Sequence, residues 1–163
     1  MKTIYLIRHA KSSWKFDGLN DFDRPLNKRG RRDVKIMGKH LRQHAPAPAV
    51  IVTSPASRTF YTALHLGDYW SLNEDHILLN HELFHAGQSK ILGIIGDLAS
   101  KHDTVGICCH NPGITNLANH LSTSQVDNIP TCGVVGISFK TTSWKNIEAS
   151  KSEAIFSFFP KTI

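Results

Sequence analysis

The sequence predicts an α/β fold of three layers, in which helices cover both faces of a mainly parallel sheet. Short apolar segments that favour strands alternate with segments of helical periodicity along most of the 163 residues. Four strand–helix pairs in succession are typical of a parallel sheet. The last two apolar segments, at 133–139 and 154–159, leave no room between them for a helical crossover. We therefore expect them to pair antiparallel at one edge of the sheet, near the C-terminus.

The first half of the chain supplies two of these pairs. The first strand is predicted at 3–7, and Asn27 can cap the helix that follows. This helix has inward-facing residues at helical spacing, namely Val34, Met37 and Leu41. The second strand is predicted at 50–52, after which Ser54 and Pro55 provide an N-cap and a proline at the first helical position. One face of this second helix is expected to carry Phe60, Leu64 and Gly67.

The second half continues the pattern. The third strand is predicted at 76–79, and Gly87 separates it from a helix. The apolar residues of that helix are Ile91, Leu92, Ile95 and Leu98. The fourth strand is predicted at 104–109, and Asn111 and Pro112 begin the last helix. Its inward residues are expected to be Ile114, Leu117, Ala118 and Leu121.

Length and composition predict a single globular domain over residues 1–163. Hydrophobic residues make up 40% of the chain and charged residues 20%, which is ordinary for a folded domain. The apolar stretch at 91–99 is too short to span a membrane and contains Asp97. The first ten residues lack the long apolar segment of a signal peptide, so we expect a cytoplasmic protein with no membrane association. Three cysteines, none in a C-x-x-C pair, favour free thiols over a disulfide framework.

Positive charge is concentrated in the first third of the chain. The net charge of the whole chain is +6, whereas residues 1–50 alone hold 12 Lys and Arg against 4 Asp and Glu. Such a region attracts nucleic acids, acidic proteins or phosphorylated substrates, or else it is a solvated helix face. A basic binding module that uses residues 28–39 is therefore one alternative. We expect no nucleic-acid partner, because no nucleic-acid motif is present and no aromatic residues interleave with the cations.

Polar residues suited to phosphate chemistry follow each predicted parallel strand. In sheets of this kind the site lies beyond the carboxyl ends of the strands. The residues found there are Arg8, His9, Ser54, Arg58, His81, Glu82, His110 and Asn111. Guanidinium groups bind phosphate oxygens bidentately, and a neutral imidazole can attack phosphorus when its other nitrogen is held. We expect His9 to be the nucleophile and Glu82 to donate and accept the proton. Arg8, Arg58 and His110 would stabilise the phosphoryl oxygens.

Four segments resemble motifs of the histidine phosphatase superfamily, and in particular of its small SixA-type phosphohistidine phosphatase branch. They are IRHAKSSW at 7–14, DRPLNKRG at 23–30, SPASRT at 54–59 and HNP at 110–112. The resemblance spans nearly the whole chain in the expected order. It implies a phosphoglycerate mutase-like fold and a phosphohistidine intermediate on His9. It also implies a phosphate pocket of Arg8, Arg58 and His110, without cofactor or metal.

The resemblance leaves three points open. Arg24 is either a further phosphate contact or the partner of Asp21 or Asp23 in an ion pair. Asn111 follows His110 where the acid-phosphatase branch has Asp, so the proton comes from Glu82, from water, or is not needed by a good leaving group. The chain has no room for long insertions over the site, which suits phosphohistidine on a protein. It suits equally a broad phosphatase of small phosphomonoesters.

A zinc hydrolase is the alternative that the sequence favours least. His81-Glu82-Leu83-Phe84-His85 is a literal H-E-x-x-H, which on a helix places two imidazoles on one face. Gly87 and the preceding apolar run instead predict a turn between strand and helix. No further His or Glu follows at the spacing of a third ligand, so we expect no metal at His81 and His85.

Overall fold

The computed structural model describes residues 1–163 and contains six strands and four α-helices. The strands are β1 (Lys2–Arg8), β2 (Val50–Thr53), β3 (Ile77–Leu79), β4 (Thr104–Cys109), β5 (Val134–Phe139) and β6 (Ser152–Phe158). The helices are α1 (Lys28–His44), α2 (Ser57–Tyr69), α3 (Gln88–Gly96) and α4 (Gly113–Leu121). Every predicted strand and helix is present, and the predicted boundaries differ from the observed ones by at most three residues.

All six strands form one sheet in the order β3-β2-β4-β1-β5-β6. Strands β1 to β4 pair with one another in parallel. Strand β5 lies antiparallel between β1 and β6. The mainly parallel sheet with an antiparallel edge near the C-terminus is therefore confirmed.

Helices cover both faces of the sheet, which confirms the three-layer arrangement. Ile4 and Leu6 of β1 belong to a core that includes the buried faces of α3 and α4. Tyr5 and Ile7 alternate with them and belong to a second core against α1 and α2. Because successive side chains of a strand point to opposite faces, the continuous apolar run in β1 serves both cores.

The first two helices begin differently. Asn27 caps α1 as predicted, since its side-chain oxygen accepts a hydrogen bond of 2.8 Å from the Gly30 N–H. The prediction that Ser54 and Pro55 begin the second helix is wrong. Helix α2 begins at Ser57, and the Ser54 hydroxyl instead pairs with His110. The buried face of α2 is built from Arg58, Thr59, Thr62, Ala63, Leu66 and Gly67, whereas Phe60 and Leu64 are only half-buried.

Three neighbouring parallel strands end at the same level of the sheet. Arg8 of β1 pairs in register with Cys109 of β4, and Thr53 of β2 pairs with Cys108. The residues that follow these strands, His9, Ser54 and His110, are therefore brought together.

None of the four helices is long and apolar enough to cross a membrane.

Candidate active site

A cavity of about 210 Å³ lies at the carboxyl ends of these strands. It is lined almost entirely by polar side chains, and only one of its twelve lining residues is hydrophobic. Arg8, His9, Arg24, Arg58 and His110 all line it, so five of the six predicted site residues meet here.

His9 is held as a neutral imidazole with one free nitrogen. Its Nδ1 lies 2.7 Å from the carbonyl oxygen of Ala10, which can only accept, so Nδ1 carries the proton. The pKa of His9 is lowered to about 3, and burial is the largest cause. The Ala10 hydrogen bond opposes this shift, whereas the charges of Arg58, Arg8 and Arg24 add to it. Nε2 has no hydrogen-bond partner in the protein, so its lone pair is available for attack.

Three guanidinium groups surround this imidazole, and each has a buried N–H without a partner. These are Nε of Arg8, Nη1 of Arg24 and Nε of Arg58. A buried donor without a partner costs about 1–3 kcal/mol, and more when it is charged. Arg8, Arg24 and Arg58 also line one small cavity, and their combined positive charge is suited to an oxyanion.

Asp21 connects two of these arginines to His85. Its carboxylate accepts hydrogen bonds from Arg58 Nη2 at 2.9 Å, from Arg24 Nη2 at 2.9 Å and from His85 Nε2 at 2.8 Å. Burial alone would raise the pKa of Asp21, but Arg58, Arg24 and His85 together lower it to about 2. The structure thus shows the ion pair between Arg24 and Asp21. Arg24 also lines the cavity, and its contact with phosphate stays a prediction. The ring of Trp14 stacks on its guanidinium at 3.5 Å.

His110 is buried opposite His9, with the two ring centroids 5.4 Å apart. Arg58 Nη2 lies 3.4 Å from His110 Nδ1, and a guanidinium can only donate. His110 Nε2 therefore carries the proton and donates to Ser54 Oγ at 2.8 Å. The pKa of His110 is lowered to about 3; burial is the largest cause, and the charge of Arg58 adds to it. A negative charge bound beside His110 would oppose this shift.

The structure does not bring Glu82 to this cavity, which corrects the prediction that it faces the phosphate. Its side chain is 64% exposed and lies 3.7 Å from Lys90 Nζ. The reason is local, because the Asn80 side chain accepts the Glu82 N–H and caps a short 3-10 turn at His81–Leu83. That turn leaves Glu82 on the outer surface, beside α3.

The H-E-x-x-H segment is not helical, as the sequence context predicted. His85 has a φ of 53° and follows the 3-10 turn, so His81 and His85 do not share a helix face. No group of three or more His, Cys, Asp or Glu side chains lies close enough together to hold a metal ion. His85 instead lines the cavity, and its ring centroid lies 5.2 Å from that of His110.

Sequence reasoning missed Asp21 and His85 as cavity residues. Asp21 lies in the polar loop before α1. This loop lacks the hydrophobic periodicity from which the direction of a side chain can be predicted. The signal for it was its position three residues before Arg24. His85 was singled out only as part of a metal motif. The turn that contains His85 packs closely against Gly113. A side chain at position 113 would clash with the backbone of Ala86.

Fold and site together define an α/β protein with a cationic cavity beside a neutral histidine. Residues 4–78 match the model of the histidine phosphatase superfamily, branch 1. An uncharacterized protein of Mycobacterium tuberculosis is 43% identical over 61 residues, which are 37% of this chain and 38% of that protein's length. An uncharacterized chloroplastic protein of Arabidopsis thaliana is 27% identical over 152 residues, with 88% of this chain and 69% of that protein covered.

Solved structures of the same fold come from several phosphatases. SixA from Nakamurella multipartitia superposes with a TM-score of 0.82 at 22% identity, covering 98% of this chain and 96% of the other. The protein histidine phosphatase SixA complexed with tungstate gives 0.77 at 17%, covering 98% and 97%. A mycobacterial glucosyl-3-phosphoglycerate phosphatase complexed with VO3 gives 0.71 at 13%, covering 96% and 98%. These likenesses confirm the phosphoglycerate mutase-like fold.

Proposed function

We propose that this protein is a metal-independent phosphatase in which His9 carries the phosphoryl group between two steps. The observation that carries the proposal is the state of His9. Its Nδ1–H is fixed by the Ala10 carbonyl, its Nε2 is free, and three guanidinium groups line the same cavity. Arginines supply the positive charge that a metal ion supplies in other phosphatases.

In the first step, His9 Nε2 attacks phosphorus in line with the leaving group. The new N–P bond forms as the bond from phosphorus to the leaving oxygen or nitrogen breaks, and that atom takes the electron pair. Arg8, Arg24 and Arg58 stabilise the three equatorial oxygens, and His110 joins them once the phosphate has raised its pKa.

In the second step, water attacks the phosphorus of phosphorylated His9. The N–P bond breaks, its electron pair returns to Nε2, and inorganic phosphate is released. One water is consumed, and its two protons end on the leaving group and the phosphate. The free imidazole and the guanidinium pocket are regenerated.

His85 lines the cavity and Glu82 does not, which supports His85 as the residue for proton transfer. Its Nε2 lies 2.8 Å from Asp21 Oδ2, so Nδ1 is the nitrogen left to exchange a proton with substrate or water. We propose that His85 protonates the leaving group and then accepts a proton from the attacking water. Asp21 orients it, as the carboxylate of a catalytic triad orients its histidine.

The substrate class we propose is phosphohistidine on a protein. The cavity is small and opens directly to solvent, beside the exposed ring of Trp14, so it accommodates a phosphoryl group and little else. The structural neighbours named SixA are described as phosphohistidine phosphatases, and one holds tungstate, a tetrahedral oxyanion like phosphate. Broad hydrolysis of small phosphomonoesters is the alternative that the test must separate.

A reducing cytoplasm is the location we propose, and the cysteines support it. Cys108, Cys109 and Cys132 are all buried and unbonded. Burial raises the pKa of Cys109 to about 12 and that of the other two thiols as well, so none is suited to nucleophilic attack. The thiols thus act as small core residues, and histidine carries the chemistry.

The test measures phosphate release from a phosphohistidine peptide and from 4-nitrophenyl phosphate, with EDTA present. Wild-type activity should resist EDTA, and His9→Ala should remove it from both substrates. Rapid mixing followed by mass spectrometry under alkaline conditions should find a phosphoryl group on the peptide that contains His9. Activity that EDTA abolishes, or that survives in His9→Ala, would overturn the proposal. The ratio of kcat/KM for the two substrates separates the protein-directed from the broad phosphatase.

A further inference from the structure

Helix α1 carries a stripe of positive charge that the chemistry at His9 does not use. Six exposed basic residues form this stripe, namely Lys28, Arg31, Arg32, Lys35, Lys39 and Arg42. At about 100° per residue they fall within roughly a 100° arc of the helix, opposite its buried face. The 17 residues of α1 make the stripe about 25 Å long.

Most of these cations have no acidic partner in the protein. The single acidic residue of α1 is Asp33, which is buried. Its carboxylate oxygens lie 3.4 Å from guanidinium nitrogens of Arg29 and of Arg32. None of the other five basic residues of the stripe forms a salt bridge. Unpaired charges in one row repel one another and produce a local positive field, so the stripe is poised for an anionic partner.

The stripe begins at the rim of the catalytic cavity. The Asn27 N–H donates to the Lys11 carbonyl at 3.0 Å, and Gly30 packs against the same carbonyl because it has no side chain. Ser12 forms a bridge with Leu26 just before the helix. Lys11 and Ser12 line the cavity, so the first turn of α1 lies beside it and the later turns lead away from it.

We propose that this stripe docks an acidic surface of the phosphorylated protein on which His9 acts. The proposal rests on the proposed function and adds the charge of the partner and the direction in which it lies. A partner segment that is extended at about 3.3 Å per residue would follow the stripe for roughly eight residues. Acidic side chains within that distance of the phosphoryl group would meet the unpaired cations.

An acidic protein fits the features of this stripe better than a nucleic acid or an anionic membrane does. No Phe, Tyr or Trp lies within α1, so the stripe offers no platform on which bases could stack. The apolar face of α1 is buried in the core and is not available to enter a membrane. Trp14 and Phe16, 74% and 57% exposed, lie in the loop that follows the His9 strand and offer the aromatic contacts common at protein interfaces.

The experiment uses two phosphohistidine peptides of equal length. One has glutamates on both sides of the phosphohistidine over about eight residues each, and the other has glutamines in their place. The test variant is K35E/K39E/R42E, at the end of α1 farther from the cavity. The control variant is K140E/K145E/K161E, which changes net charge equally at exposed lysines elsewhere.

Wild-type protein should prefer the acidic peptide about tenfold or more in kcat/KM at low salt, through KM, and lose the preference at high salt. K35E/K39E/R42E should abolish the preference, and the control variant should keep most of it. All three should hydrolyse 4-nitrophenyl phosphate within about twofold of one another, because the cavity is unchanged. An equal loss in both triple variants, or no preference in the wild type, would overturn the proposal.

Binding to the catalytically inactive His9→Ala protein separates this proposal from the proposed function. If no substrate is hydrolysed, the phosphatase proposal fails, yet calorimetry with the acidic peptide still reports on the stripe. If the affinity for the acidic peptide falls when Lys35, Lys39 and Arg42 are replaced, the result supports docking on the stripe. If the affinity does not change, the proposal is overturned. Salt-sensitive binding of duplex RNA that is lost in the α1 variant, with peptide preference intact, would replace the protein partner by a nucleic acid.

Discussion

Arg58 donates two hydrogen bonds to the same residue, Asp21, which lies 37 positions earlier in the chain. Nη1 reaches the Asp21 backbone carbonyl at 2.6 Å, and Nη2 reaches the carboxylate at 2.9 Å. The guanidinium that follows β2 is thus fixed by the loop that precedes α1. Because Arg24 and His85 bind the same carboxylate, one acidic residue contacts two of the arginines proposed to bind phosphate and also the proposed proton donor.

Asp21→Asn should separate these roles. The backbone contact to Arg58 survives the substitution, and a negative charge that competes with phosphate is removed. We expect kcat for an alkyl phosphate to fall about tenfold or more, because His85 loses its carboxylate partner. The inhibition constant of inorganic phosphate should stay the same or decrease. A rise in that constant as large as the loss in kcat would instead assign Asp21 to positioning the arginines alone.

His9→Ala should abolish turnover and leave the fold intact. A covalent route without its nucleophile loses about a thousandfold or more in kcat. The replaced ring is buried, but it lies beyond the carboxyl end of β1 and outside both apolar cores. Circular dichroism and the denaturant midpoint serve as controls for folding. Residual activity within tenfold of the wild type in a folded variant would exclude His9 as the nucleophile.

Glu82→Gln and His85→Gln form a matched pair for the proton donor. Glu82→Gln should leave kcat/KM within about twofold for all substrates, since its carboxylate lies outside the cavity. His85→Gln should slow an alkyl phosphate by about tenfold to a hundredfold and 4-nitrophenyl phosphate much less, because a good leaving group needs little protonation. Equal losses for both leaving groups in His85→Gln would argue against proton transfer there.

The fold was predictable because each element carries its own periodicity. The apolar run in β1 predicts a strand that is buried on both faces. The helical spacing of Val34, Met37 and Leu41 predicts the buried face of α1. The start of α2 was mispredicted for a tertiary reason. Ser54 followed by proline has the local chemistry of an N-cap, but its hydroxyl is committed to His110, which lies 56 residues away. Local propensity cannot report a partner at that distance.

The site was predictable where a residue directly follows a parallel strand, and not elsewhere. Arg8, His9 and His110 are fixed by the end of the sheet, so the sequence order of strands and side chains located them. Glu82 also follows a strand closely, but the Asn80 cap directs it outward. Asp21 lies in a loop without periodicity, and its place depends on Arg58, Arg24 and His85 together.

Stability should fall as the pH is lowered below about 6.5. The folded-state pKa of both His9 and His110 is about 3, below the ordinary value of 6.5 that applies in the unfolded chain. Between these values the unfolded chain binds more protons than the folded one, so acid favours unfolding. Each such histidine contributes up to about 1.4 kcal/mol of lost stability per pH unit. This contribution is fully present above pH 6.5 and is lost progressively towards pH 3.

Urea unfolding at pH 7, 6, 5 and 4.5 measures this slope. His110→Asn should unfold with a shallower dependence on pH than the wild type, whatever its stability at pH 7, because one of the two titrating groups is gone. Saturating inorganic phosphate should raise the urea midpoint at pH 7, since it binds the folded state alone. It should also flatten the slope below pH 6, because the bound phosphate monoanion favours the protonated form of His110 in the folded protein. A wild-type midpoint that does not change between pH 7 and 4.5 would contradict the neutral, buried state of both rings, and with it the availability of His9 Nε2.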